Sequence, residues 1–143
     1  MEKKYYIPKN KALQHLSPKF VIRVGSSDIK SVDETWVKKQ YQRPSAGFII
    51  RPGERWLDLG ANIGAFSVYA ALQGAQVRAY EAQRHNITMV RANIQANNLK
   101  EKIEVFRLAV VPDSSHGRKL KFYESTNPVT FRRHTLYGNY LNS

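Results

Sequence analysis

A chain of 143 residues, 42% of them hydrophobic, has room for one domain with its own core but not for two, and its composition favours a folded chain over a disordered one. The absence of cysteine excludes disulfides, thiolate nucleophiles and cysteine-held metals, and no apolar run reaches membrane-spanning length. Lysine and arginine outnumber aspartate and glutamate by 23 to 11, a net charge of +12 that attracts polyanions such as nucleic acid and equally keeps a small domain soluble.

Residues 1–19 are expected to form an irregular lead-in, because Pro8 and Pro18 break any helix. Tyr5, Tyr6 and Pro8 follow the first charged residues where a secretory leader would be apolar, so the cytoplasm is the expected location. Residues 20–24 read as a short strand stopped by Gly25. Ser31 and Glu34 have capping-box spacing, and Val32, Trp36, Val37 and Tyr41 would share one face of a helix ending before Pro44. Arg55–Leu59 reads as a buried strand closed by Gly60. Residues 63–73 follow as a helix with Phe66, Tyr69, Ala70 and Leu72 inward and Gly74 as its stop. Gln76–Tyr80 is the next strand, 86–97 a helix with Ile87, Val90 and Ile94 on one stripe, and 103–111 a third strand ended by Pro112. Strands joined by single helices must run parallel, so the fold class is α/β, a mainly parallel sheet with helices on both faces. Residues 120–123 add a possible hairpin strand, and the chain divides into a lead-in (1–19), a ligand-binding domain (20–123) and an irregular tail (124–143).

In a parallel α/β sheet, ligands bind beyond the carboxyl ends of the strands. The first such turn is Asp58-Leu59-Gly60-Ala61-Asn62-Ile63-Gly64. Gly60 leaves the ligand's path clear, Gly64 lets the helix start pack closely, and Asp58 can hold loop amides or accept a hydrogen bond from an ammonium group. Glu81, 21 residues after Gly60 at the next strand end, is placed to accept both ribose hydroxyls of an adenosine. A dinucleotide site needs a second glycine where Asn62 stands, and no Gly-Lys-Ser/Thr follows a glycine loop. An adenosine ligand without phosphate fits better, which points to S-adenosylmethionine.

Residues 56–67 (Trp-Leu-Asp-Leu-Gly-Ala-Asn-Ile-Gly-Ala-Phe-Ser) resemble the first motif of the FkbM-type methyltransferase family, which has the Rossmann-like class I fold. Tyr80-Glu81-Ala82 is similar to that family's aromatic-Glu-Pro strand end, with Ala82 in place of proline. Asn93 with Asn97-Asn98, the stretch from Arg23 to Tyr41 containing Ser27-Asp28, and Leu108-Ala109-Val110 are similar as well. The resemblance implies methyl transfer from S-adenosylmethionine to an oxygen of a small molecule or glycan. Gly60, Ala61 and Asn62 would line its methionine and ribose, Glu81 the ribose diol, and Leu108 and Ala109 the adenine. The family's fourth strand, with its Lys-Ile-Asp-x-Glu-Gly-type motif, has no match after Tyr123. The first strand is therefore expected to show an open edge, inviting a completing partner chain or a second copy; the basic tail from Arg118 to Arg133 is a further candidate cover. Asn127-Pro128-Val129-Thr130 is a faint likeness of the Asn-Pro-Pro-Tyr motif of amino-group methyltransferases. His85 reads as a surface residue at a helix start, and His15, His116 and His134 fall in expected loops without metal-site spacing. No catalytic residue is assigned. The alternative reading is a non-catalytic module whose basic face contacts nucleic acid or an acidic partner.

Overall fold

The structure, a computed structural model, describes residues 1–41, 45, 48–115 and 121–122. Lys3–Tyr6 (β1) and Phe20–Arg23 (β2) pair antiparallel, Lys3 opposite Arg23 and Tyr6 opposite Phe20. A 3₁₀ helix, Lys11–Leu16, lies between them; the Asn10 side chain accepts from the Ala12 amide at its start, and Ser17 closes it in the left-handed region. The expected irregular lead-in thus holds regular structure, because Pro8 and Pro18 flank these elements and interrupt neither.

The next helix, Asp28–Trp36 (α1), begins before the expected capping box. Ser27 is its N-cap residue, and Ser31 sits inside the first turn with its hydroxyl donating back to the Ser27 carbonyl (3.3 Å). Val32 and Trp36 are buried as expected. The Val37 and Lys38 amides both return to the Asp33 carbonyl, and Lys39 turns left-handed (φ 52°). The helix therefore ends at Trp36, leaving Val37 exposed and Tyr41 outside it. Tyr41 instead meets the Phe66 ring edge-on at 5.1 Å.

The remaining elements are Arg55–Leu59 (β3), Ala65–Leu72 (α2), Gln76–Tyr80 (β4), Arg84–Ala96 (α3) and Ile103–Phe106 (β5). The three strands form a parallel sheet in the order β3-β4-β5, with Leu59 opposite Tyr80 and Tyr80 opposite Phe106. This confirms the α/β class. Helices cover one face only among the described residues. Two successive crossovers of the same hand, moving in the same direction along the sheet, put both helices on the same side. That side receives Val77, Ala79 and Ile103, all buried, with Trp56 and Val105 half-buried. The other carries Arg55, Gln76, the exposed ion pair Arg78–Glu104 (3.2 Å), and Leu57 and Leu59, which are 61% and 57% exposed. The expectation of a buried first strand is corrected accordingly. β5 stops at Phe106, short of 111, because its partner β4 ends at the opposing Tyr80. Lys121 and Phe122 have no regular structure. Leu120, Tyr123, His116, His134, residues 127–130 and the run from 118 to 120 and from 123 to 133 lie outside the described residues. No helix among the described residues is long and apolar enough to cross a membrane.

Trp36 centres the core between β2, α1 and α2. Its ring meets Phe20 and Tyr69 edge-on at 5.8 and 5.2 Å, and its Nε1 donates to the Ala65 carbonyl (3.2 Å). Asn93 of α3 and Asn97, the residue that caps its C-terminal end, fasten the N-terminal hairpin to the sheet layer. Asn93 accepts from the Val21 amide (2.6 Å) and donates to the Ile63 carbonyl (2.7 Å), while Asn97 bonds both the amide and the carbonyl of Lys19 (2.9 and 2.6 Å). Arg23 and Asp28, 6% and 1% exposed, form a buried ion pair (2.7 Å), and the same guanidinium nitrogen donates to Asn86 Oδ1 (2.9 Å).

Candidate functional site

The turn after β3 hangs from the last carbonyl of β4: the Gly60 and Ala61 amides donate to Tyr80 O at 2.9 and 3.0 Å. Gly60, Asn62 and Gly64 all lie in the left-handed region, at φ 81°, 53° and 82°. Asparagine tolerates that conformation better than other residues with side chains, so Asn62 keeps a glycine-like backbone path. A Cβ on Gly60 would meet no atom within 4 Å, so the loop faces open space there. Gly64, the N-cap of α2, is tight instead: a Cβ would approach Val90 Cγ1 to 3.3 Å, so glycine lets α2 cross α3 closely.

Glu81 follows the last residue of β4 and is 7% exposed. Its Oε2 accepts from the Asn62 amide and its Oε1 from the Gln83 amide, both at 2.8 Å. Gln83 in turn caps α3 by accepting from the Asn86 amide (2.6 Å). The half-buried Asp58 accepts a short hydrogen bond from Ser67 Oγ in α2 (2.5 Å). Burial is the largest influence on Asp58 and pushes its pKa up to about 6. Hydrogen bonds from the side chain and backbone of Ser67 oppose the rise, and the neighbouring charge of Glu81 adds to it. Asn62 Nδ2 donates to Ser31 Oγ (3.0 Å), tying the loop to α1.

Asp58, Gly60, Ala61, Asn62, Gly64 and Glu81 are thus gathered at the carboxyl end of the sheet, with Ala82 half-buried beside Glu81. Leu108 and Ala109 are exposed and lie beyond β5 instead of on a strand end. His85 is exposed in the first turn of α3, and His15 is exposed on the 3₁₀ helix where a loop was expected. A groove of about 590 Å³ opens at the opposite, amino end of the strands, lined by Arg55, Gln76, Arg78, Lys102 and Glu104 among others. That is the wrong end for a ligand of a parallel sheet. Sequence reasoning missed Ser67 and Ser31. Ser67 was detectable as the one polar residue in the run Ala-Phe-Ser-Val-Tyr-Ala-Ala-Leu of α2, whereas the contact of Ser31 with Asn62 leaves no local signal.

No family model matches the chain. It is 33% identical over 102 residues, 68% of its length, to a 23S rRNA (uracil(1939)-C(5))-methyltransferase of Cupriavidus metallidurans. Over 53 residues, 37% of its length, it is 34% identical to the tRNA (uracil(54)-C(5))-methyltransferase of Pyrococcus abyssi. The solved structure of that enzyme, in complex with S-adenosyl-L-homocysteine, matches 74% of this chain and 24% of its own with a TM-score of 0.46 and 20% identity. A structure of a candidate transferase from Pyrococcus horikoshii matches 75% of this chain and 36% of its own with a TM-score of 0.51 and 16% identity, a likeness of fold. The chain spans 21% of the Cupriavidus relative and 13% of the Pyrococcus abyssi one.

Proposed function

We propose that this chain binds S-adenosylmethionine between the 58–64 turn and Glu81, as the cofactor-holding part of a methyltransferase whose acceptor is RNA. The buried Glu81 carboxylate, drawn against the loop at the Asn62 amide, carries the reading. Each of its oxygens accepts one amide and keeps further acceptor capacity, as a ribose diol requires. The residues fit the cofactor on other counts. The open space over Gly60 admits a ligand without displacing a side chain, and the Asp58 carboxyl offers negative charge to a cationic ligand. Ala61 and Asn62 would line its methionine and ribose, and Ala82, Leu108 and Ala109 are the apolar groups available to its adenine. The cofactor supplies a methyl group on a sulfonium, and the chain's task is to hold and orient it.

Two observations favour RNA over the small-molecule or glycan hydroxyl that the FkbM resemblance implies. Both curated relatives act on uracil in RNA, and the net charge of +12 suits a polyanion. The uncovered sheet face and the outer edge of β3 are where the rest of such an enzyme, in the same polypeptide or a partner, would pack. Calorimetric titration with S-adenosylhomocysteine tests the cofactor site. We expect saturable micromolar binding, weakened by about 1.5–3 kcal/mol in Glu81→Ala, the range for a lost hydrogen bond to a charged group; unchanged affinity in the variant refutes the assignment. Parallel titration with RNA should show affinity falling as salt rises, and no binding at low salt removes RNA as the acceptor.

A further inference from the structure

Nine polar or charged residues are buried among those described, and five of them, Asp28, Arg23, Asn86, Gln83 and Glu81, form one unbroken chain of hydrogen bonds. The chain starts at the ion pair on the end of β2. Arg23 Nη2 donates both to Asp28 Oδ1 (2.7 Å) and to Asn86 Oδ1 (2.9 Å), so one nitrogen joins the N-terminal hairpin to the first turn of α3. The Asn86 amide then donates to Gln83 Oε1 (2.6 Å), and the Gln83 amide donates to Glu81 Oε1 (2.8 Å).

Stability alone does not account for this arrangement. A buried ion pair contributes little beyond what an apolar pair of similar volume would. Asn86 Nδ2 is buried without a partner among the described residues, which is itself a cost. What the chain provides is a fixed carboxylate. The Glu81 side chain rests on two backbone amides, and each is only as fixed as the segment that carries it. The Asn62 amide belongs to the glycine loop, which hangs from the Tyr80 carbonyl. The Gln83 amide belongs to the turn entering α3, and that turn is tied down where Arg23 grips Asn86. A carboxylate that must offer both oxygens to a diol has to be held in one rotamer by its surroundings.

We propose that Arg23 and Asn86 are positioning residues for Glu81: the ion pair anchors the first turn of α3, the turn fixes the Gln83 amide, and that amide sets the carboxylate for the ribose diol. The proposal rests on the S-adenosylmethionine reading above and adds residues that touch no ligand in it. The test is calorimetric titration of the full 143-residue chain with S-adenosylhomocysteine and with its 2′,3′-dideoxy analogue, which lacks the diol. Asn86→Ala should bind S-adenosylhomocysteine roughly fivefold to tenfold more weakly and the dideoxy analogue unchanged. Glu81→Ala/Asn86→Ala should bind S-adenosylhomocysteine no more weakly than Glu81→Ala, because positioning then has nothing to act on. A merely structural role would weaken both probes and add to the loss in Glu81→Ala. Gln83→Ala should copy Asn86→Ala, and Gln83→Asn, which restores a favourable cap, should regain affinity; this pair decides the matter if Asn86→Ala does not fold. Loss shared by both probes, additive losses in the double variant, or full affinity in Asn86→Ala overturns the positioning role and leaves the cofactor site standing. A wild type that binds neither probe, or both equally, overturns the reading of Glu81 as the diol acceptor and the positioning role with it.

Discussion

Replacing Asp28 with alanine should be among the most damaging single changes available to this fold. The Asp28 carboxylate accepts from the backbone amide, Nε and Nη2 of Arg23 at 2.9, 2.9 and 2.7 Å. With both residues almost wholly buried, truncation strands a guanidinium in a dehydrated site and orphans a strand-end amide. Breaking a buried pair from one side costs about 3–5 kcal/mol. For a chain of this size, 1 kcal/mol moves Tm by about 2–4 °C, so a fall of roughly 10 °C is expected. Thermal unfolding followed by far-UV circular dichroism measures it. The double variant Arg23→Met/Asp28→Leu should recover most of the loss, because an apolar pair of similar volume avoids desolvating charge. A cost below about 1 kcal/mol for Asp28→Ala would show that the pair does not clamp the hairpin and α1 to α3, and the reasoning fails.

Gly60→Val places a β-branched side chain at φ 81° with no protein atom in its way. The backbone strain should cost roughly 1–2 kcal/mol and leave the fold intact by circular dichroism, while S-adenosylhomocysteine binding is abolished; retained binding would place the ligand elsewhere. Asp58 gives a pH signature. The folded chain holds its proton up to about pH 6, whereas the ordinary aspartate value is 3.8, so ionisation removes stability as pH rises across that window. Asp58→Asn should therefore raise the unfolding free energy at pH 8, by about 3 kcal/mol at most, with the advantage vanishing toward pH 4. Parallel stability–pH curves for the two proteins would refute the assignment.

The glycine turn and Glu81 were legible in the sequence because strand, turn and helix follow one another within a single β-α-β stretch, each boundary marked by its own glycine. The start of α1 was not. Ser31 and Glu34 imitate a cap, while the residues that set the helix start, Ser26 and Asp28, do so through bonds to each other and to Arg23 in β2. β1 was missed because Lys-Lys-Tyr-Tyr shows no alternation. It gains its place from pairing with β2 and from Tyr6, whose hydroxyl donates to Asp33 at 2.6 Å. β5 was read too long because an apolar run continues after its partner strand has ended. For β1 and β5 a strand distant in sequence decided the local outcome, and for α1 a side chain of the preceding strand did.

Leu57 and Leu59 stand on a strand with one neighbour among the described residues, which makes the colloidal behaviour of the isolated chain a contest between its edge and its charge. A bare edge strand invites backbone pairing with another copy, while a charge of +12 on every molecule holds copies apart. The range of that repulsion shrinks from about 30 Å at 0.01 M salt to about 10 Å at 0.1 M. Solutions of this chain should therefore be most monodisperse in dilute buffer, where that repulsion reaches farthest.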